Sequence, residues 1–173
     1  METASEVKLH VRWMIKADLA SVLGIESKSF DRPWCEEDFC DRLRFRNAIG
    51  MVVDRNGTVC GYMIYMLDRG KIVVEKLAVH PDFRRQNVGK KMVDKLKSKL
   101  NENRRRKLEL LVRETSVGAQ LFFKEMGFRA IEVIRGHFED EGVDAYLMCH
   151  ELADTFSAAP DGEMPRNRIR IYL

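Results

Sequence analysis

No run of residues approaches the about 18 consecutive apolar positions of a membrane-spanning helix. The opening segment, Met1 to Lys16, is interrupted by Glu2, Glu6, Lys8, His10 and Arg12. A helical membrane span is excluded, and without the apolar stretch of a secretory leader the expected location is cytoplasmic. Cysteine is sparse: Cys35, Cys40, Cys60 and Cys149, with no C-x-x-C pair. That spacing offers neither a disulfide framework nor a zinc site. Cys60 and Cys149 lie in apolar, strand-like runs and read as packed thiols, so no metal is expected. The chain has no Walker spacing and no G-x-G-x-x-G, which argues against a nucleoside triphosphate or dinucleotide ligand. It has no internal repeat. It also lacks a large charge of one sign: Lys+Arg 30 oppose Asp+Glu 27, a net +3. A uniformly basic nucleic-acid coat is thereby ruled out.

What is present suits one globular domain. The 173 residues are 45% hydrophobic and 33% charged, enough to build a sizeable core without the signature of disorder. Val7 to Ile15 alternates as a strand. Asp18 is placed to cap a helix carrying Leu19, Val22 and Leu23, and Pro33 stops it. Trp34, Phe39 and Leu43 mark a second, acid-rich helix. Ala48 to Val53, the turn through Asn56-Gly57 and Thr58 to Leu67 read as a hairpin. Ile72 to Val79 is a third long strand, closed by His80-Pro81. Met92, Val93, Leu96 and Leu100 recur at helical spacing after Val88. Leu108 to Val112 is nearly all apolar, the pattern of a central strand covered on both faces. A helix from about Ser116 to Met126 ends at Gly127. Phe128 to Arg135 and Val143 to Cys149 supply two more strands.

The most informative segment is the junction between the third long strand and its helix, from Leu77 through Arg84-Arg85-Gln86-Asn87-Val88-Gly89-Lys90. The first amides of a helix have no intrahelical acceptor and stand at the positive end of its dipole, a combination that binds phosphate. Arg84, Arg85 and Lys90 add charge, and Gly89 leaves room for close approach. The alternative is a basic surface turn before an ordinary helix.

This junction resembles the acetyl-CoA motif of the GNAT N-acetyltransferase superfamily, Q/R-x-x-G-x-G/A, with Arg84 first, Gly89 last and Asn87 in place of the first glycine. Five further segments are similar to ribosomal-protein-alanine and related N-terminal acetyltransferases. Phe30-Asp31-Arg32-Pro33-Trp34 resembles F-x-x-P-W. Leu111 to Ser116 resembles the strand-to-helix segment L-E-V-R-x-S-N. Phe122 to Phe128 resembles L-Y-x-x-x-G-F. Arg135 to Phe138 and Asp144 to Met148 resemble R-x-Y-Y and D-A-x-x-M. The resemblance implies an α/β (α+β) GNAT fold, a mixed, twisted seven-stranded sheet flanked by about four helices. It covers about residues 7–151, which sets an acetyltransferase domain at 1–152. The remaining 153–173, with Pro160, Gly162 and Pro165, is expected to be a mobile or loosely docked extension, or to offer Arg168 to Tyr172 as a pairing strand.

The resemblance further implies acetyl-CoA as co-substrate. Backbone groups of Leu77, Ala78 and Val79 would hold its pantetheine arm, and those of Arg85 to Lys90 its pyrophosphate, with Arg84, Ser116 and Phe123 also at the cofactor. The catalytic positions depart from the family: Leu111 replaces its glutamate base and Phe123 its tyrosine acid. Two substitute bases are available. Glu75 is an acid inside Ile72 to Leu77, and alternatively a solvent-facing partner of Lys76. His137 stands where the family has a substrate-facing tyrosine, and alternatively is an exposed loop histidine. Glu109 and Tyr146 are weaker candidates, and His80 reads as structural.

An α-amine, with a reference pKa of about 7.7–8.0 against about 10.4 for lysine, is partly neutral at cytoplasmic pH and tolerates a weak base. With this, the resemblance implies a protein N-terminus as the expected acceptor, with ribosomal proteins among the candidates. A small amine such as a polyamine or aminoglycoside, and an acyl-CoA-binding module without turnover, are the alternatives. No membrane partner is expected, nucleic acid is disfavoured, and the chain is expected to be a monomer or homodimer. Charge is uneven. Residues 84–107 hold eleven Lys+Arg against two acids, and 135–163 eight acids against one arginine. The basic segment suits CoA phosphates, and Glu139-Asp140-Glu141 a cationic amine.

Overall fold

Residues 8–138 and 142–153 are described by the structure, a computed structural model. In chain order the elements are β1 (His10–Trp13), α1 (Leu19–Ser29), α2 (Glu36–Leu43), β2 (Ala48–Arg55), β3 (Thr58–Leu67), β4 (Gly70–Val79), α3 (Val88–Lys97), β5 (Arg105–Arg113), α4 (Val117–Glu125), β6 (Arg129–Phe138) and β7 (Val143–Glu151). The strands form one sheet in the order β1-β2-β3-β4-β5-β7-β6. Every neighbouring pair is antiparallel except β4 and β5, which α3 joins as a parallel crossover. Among the described residues this is the mixed seven-stranded sheet with four α-helices that the resemblance implies. The proposed tail and the acidic loop Glu139-Asp140-Glu141 lie outside the described residues.

Local chemistry sets the boundaries. Asn56 and Gly57 turn the β2–β3 hairpin at φ 52° and 83°, the left-handed pair a two-residue hairpin loop requires. Gly127, at φ 81°, ends α4. The first strand is shorter than the predicted Val7 to Ile15, because Ile15 N–H donates to the Asp18 carboxylate at 2.8 Å and folds the chain into a 3-10 turn. Asp18 thus serves that turn, and makes no side-chain cap on α1.

Strand alternation sorts the core into two layers. Met92, Val93 and Leu96 of α3, Phe123 of α4 and Met126 just after it pack with Met51, Val53, Met63, Tyr65, Ile72, Val74, Leu108, Leu110 and Val112. On the opposite face Val22 and Ile25 of α1 and Phe39 of α2 pack with Val52, Tyr62, Ile64 and Ala78. One expectation is corrected. β5 is not covered on both faces: Leu108, Leu110 and Val112 are buried under α3 and α4, whereas Leu111 faces the other way and is 38% exposed. The helices α1 and α2 cover β2, β3 and β4, and their cover does not extend over Leu111.

Candidate active site

β4 and β5 pair from Gly70 and Arg105 to Val74 and Leu110, and there the pairing ends. Both strands continue, to Val79 and Arg113. The cause is visible in the register with β3. Ile64 pairs with Lys76 but Tyr65 with Val74, so Glu75 is an extra residue. A bulge of this kind raises local twist and bends its strand, and here it turns the end of β4 away from β5. The backbone edge of residues 75–79 is left facing an opening. An open strand edge is a template for an extended amide-bearing chain such as pantetheine. Side chains do not obstruct it: Leu77 and Val79 pack toward α3, and Ala78 is buried on the α1 side. Leu77, Ala78 and Val79 thus lie on the part of β4 beyond its pairing with β5.

The chain then crosses a short turn into α3. The His80 imidazole Nδ1 accepts from Asp82 N–H at 3.2 Å and caps it, which is a structural use. Arg85 and Asn87 are both left-handed, at φ 60° and 62°, which gives the backbone the alternating curvature of an anion-binding nest. The first helical bond runs from Lys91 N–H to Asn87 O, at 2.9 Å. The amides of Val88, Gly89 and Lys90 come before it and have no intrahelical acceptor. Two side chains brace the turn. Arg84 donates to Val79 O at 3.2 Å, and Gln86 bonds both Arg55 and Asp82 O at 2.8 Å. Lys90 pairs with Asp94 at 3.0 Å, and Arg85 is exposed. Gly89 has a packing reason as well. A Cβ there would stand 3.1 Å from the Phe122 ring of α4. Ser116 begins α4 with its hydroxyl unused as a cap.

The basic segment is not a single patch. β5 starts beside the start of β4, so Arg105 to Lys107 lie at the opposite end of the strands from this turn, about 30 Å away at about 3.3 Å per residue. Arg105 donates to Asp68 O and Lys107 pairs with Glu151. Within residues 84–107 the turn itself carries Arg84, Arg85 and Lys90.

The family model described as Acetyltransferase (GNAT) family matches residues 19–128, so β4, β5 and the turn into α3 all fall inside it. The chain belongs to this family. It is an acetyl-CoA-dependent N-acetyltransferase. A Bacillus subtilis (strain 168) protein, provisionally named a [ribosomal protein bS18]-alanine N-acetyltransferase, is 27% identical over 144 residues, 83% of this chain and 95% of that one. The crystal structure of the ribosomal-protein-S18-alanine N-acetyltransferase from Escherichia coli superposes with a TM-score of 0.75 at 21% identity, over 88% of this chain and 99% of that one. That of Arabidopsis thaliana NAA60 in complex with acetyl-CoA gives 0.72 at 16%, over 84% and 100%.

Within the acetyltransferase, Leu111 borders the opening and Phe123 is 7% exposed, edge-on to Phe122 and Phe128 with ring centroids 5.0 and 5.3 Å away. Phe123 is thus a core residue. Neither side chain moves a proton. Glu75, on the bulge, is drawn toward α2. Its Oε2 lies 3.0 Å from Arg42 Nε, an ion pair without an aligned N–H···O bond, and among the described residues that oxygen has no hydrogen-bond partner. Burial pushes its carboxyl above the ordinary range, against the attraction of Arg42. His137 is exposed near the end of β6, its ring edge-on to Phe138, over which Arg113 lies at 4.0 Å. β5 and β7 stand between the strands of Glu75 and His137, so the two do not form one dyad. Glu109 is engaged by Lys71 at 2.7 Å, and Tyr146 packs against the core. Among the described residues no cluster of His, Cys, Asp and Glu has the arrangement of a metal site.

Sequence reading missed a polar group under α1. Glu26 is fully buried and accepts from Tyr62 Oη, from Lys76 Nζ at 2.7 Å and from Trp34 N–H at 2.8 Å. The available signal was an acid on the apolar stripe, four residues after Val22. Asp144 was also missed as an organiser. Its carboxylate accepts from Gly136 N–H at 2.8 Å and meets Arg135 at 3.3 Å, which fixes the bend before His137.

Proposed function

We propose that this acetyltransferase acts on a protein N-terminal α-amine, with Glu75 as proton acceptor at the mouth of the β4–β5 opening and His137 as a second acceptor on the β6 side. The observation that carries the reading is the bulge. The residue that ends the β4–β5 pairing is also a half-buried carboxylate whose buried Oε2 has unmet hydrogen-bonding capacity. The names of the Bacillus and Escherichia relatives, both alanine N-acetyltransferases, support the acceptor class.

The chemistry needs little more. The neutral amine attacks the thioester carbonyl, the C–N bond forms and the C–S bond breaks. The proton released by nitrogen goes to the carboxylate or imidazole, directly or through water, and CoA leaves as its thiol after taking up a proton. Because an α-amine is partly neutral near pH 7.5, a base weaker than the family's glutamate–tyrosine pair suffices, and positioning supplies the rest.

Initial rates with acetyl-CoA and a panel of N-terminal peptides, beside a polyamine and an aminoglycoside, test the acceptor. Peptide acetylation at the α-nitrogen is expected, and turnover of the small amines alone overturns the reading. Glu75→Gln and His137→Ala test the base. A loss of about tenfold or more in kcat/KM, about 1.4 kcal/mol, is expected for at least one of them, and two variants at parental rates reject both residues.

A further inference from the structure

We propose that Lys76 is the positioning residue of the acceptor entrance, holding the 30–35 loop in place over β4 through its ion pair with Glu26. The inference rests on the N-terminal-amine reading above for its peptide readout.

The loop joins α1 to α2 and has no regular structure of its own. Asp31, Arg32 and Pro33 are exposed, so its order comes from its tethers. Tethers from both ends of the loop converge on Lys76 and Glu26. The Lys76 ammonium lies 4.1 Å from the centroid of the Phe30 ring and 4.8 Å from that of Trp34, the two aromatic ends of the loop. The same ammonium is 2.7 Å from Glu26, whose Oε1 also accepts the Trp34 backbone N–H. Phe39 closes the group edge-on to Trp34 and Tyr62, at 5.3 and 5.6 Å. The Lys76 side chain retains 12% of its exposure and that of Glu26 none.

Position makes this more than a core polar cluster. The bulge turns Glu75 and Lys76 toward the same side of the sheet, where one meets α2 and the other α1. The loop therefore covers the residue between the proposed proton acceptor and Leu77, where the cofactor edge continues. An acceptor reaching the thioester from this face passes beside it. A hydrophobic residue at 76 would pack the rings without fixing them, because it can neither pair with Glu26 nor attract two ring faces at once.

The full chain carries two tryptophans, Trp13 and Trp34, so a Trp13→Phe background reports the loop alone. In that background Lys76→Met is expected to raise KM for an N-terminal peptide about tenfold, with kcat within about twofold and KM for acetyl-CoA unchanged. Trp34 emission is expected to move to the red, with stronger acrylamide quenching. Because Lys76→Met leaves a buried carboxylate unpaired, the double variant Glu26→Gln/Lys76→Met is measured beside it, with circular dichroism for folding. The double variant is expected to keep the raised KM and the red shift, and it decides the matter where the single variant does not fold. Parental peptide KM and parental Trp34 emission in the folded variants overturn the proposal, as does a fall in kcat at constant KM. If the parent acetylates no peptide, the acceptor reading fails by itself. The Trp34 measurement then decides alone, a red shift supporting the positioning role and its absence overturning it.

Discussion

Asp18 shows how much a single carboxylate carries in this fold. Arg12 donates to both its oxygens, at 2.7 and 2.8 Å, and Ile15 N–H donates at 2.8 Å. The hydrogen bonds from Arg12, chiefly, hold its carboxyl below the ordinary range in spite of burial. A folded-state pKa depressed in this way contributes stability that is fully present above the unfolded value of about 3.9 and is lost as pH falls through the depressed one. Asp18→Asn is expected to cost about 1–3 kcal/mol at pH 7, with the gap to the parent closing as the pH drops below about 3.9. Urea melts between pH 3 and 7 measure it, and a gap independent of pH rejects it. Glu75 has the opposite sign. Its raised carboxyl takes up a proton at higher pH than an ordinary glutamate, for which the value is about 4.3. The kcat/KM profile should therefore fall on its acid side above that value, separately from the amine titration near 8. Glu75→Gln should remove that limb and leave the amine's. A limb that persists in the variant assigns it to another group.

At the scale of elements, α3 depends on the left-handed Asn87 that precedes it, at φ 62°. Glycine adopts that conformation freely and asparagine with modest cost, whereas alanine is strained there. Asn87→Gly is expected to retain CoA affinity, and Asn87→Ala to lose about 1 kcal/mol of it. Calorimetric titration distinguishes them, and equal affinities would show that the turn does not need this backbone. The same contrast shows what the sequence makes legible. Hairpins, helix ends and the turn into α3 are written in neighbouring residues: Asn56-Gly57, Pro33, Gly127 and Arg84 to Lys90. The bulge at Glu75 is not, since Ile72 to Val79 reads as an uninterrupted strand and the extra residue emerges only from pairing with β3. Glu26 is half legible. Its place on the apolar stripe of α1 is local, but Tyr62 and Lys76 are 36 and 50 residues away. Leu111 misled for a related reason. An apolar run predicts burial on both faces, and whether a helix covers the second face is decided by elements far along the chain.

For the molecule as a whole, the net +3 conceals a geometric division. The basic residues from 84 to 107 run along α3 to the far end of the sheet, so their summed charge does not act at one place. If the turn into α3 holds the pyrophosphate, the cations at its mouth should govern CoA binding and those at the start of β5 should not. CoA at about 100 times its Kd is expected to stabilise the fold by about 2.7 kcal/mol, a rise in Tm of about 5–10 °C for a chain of this length. Arg85→Glu reverses an exposed charge at the turn. If it weakens binding tenfold, the same CoA concentration stabilises by about 1.4 kcal/mol and the shift is about halved. Arg104→Glu changes the same charge by the same amount at the distant end and should leave the shift at the parental value. Thermal melts of the three chains with and without CoA compare them directly. Equal losses in both variants would mean that the long-range field of the whole segment, and not the turn, attracts the cofactor; raising the salt concentration would then erase the loss in both, because charges more than about 8–10 Å apart at the surface are screened near physiological ionic strength.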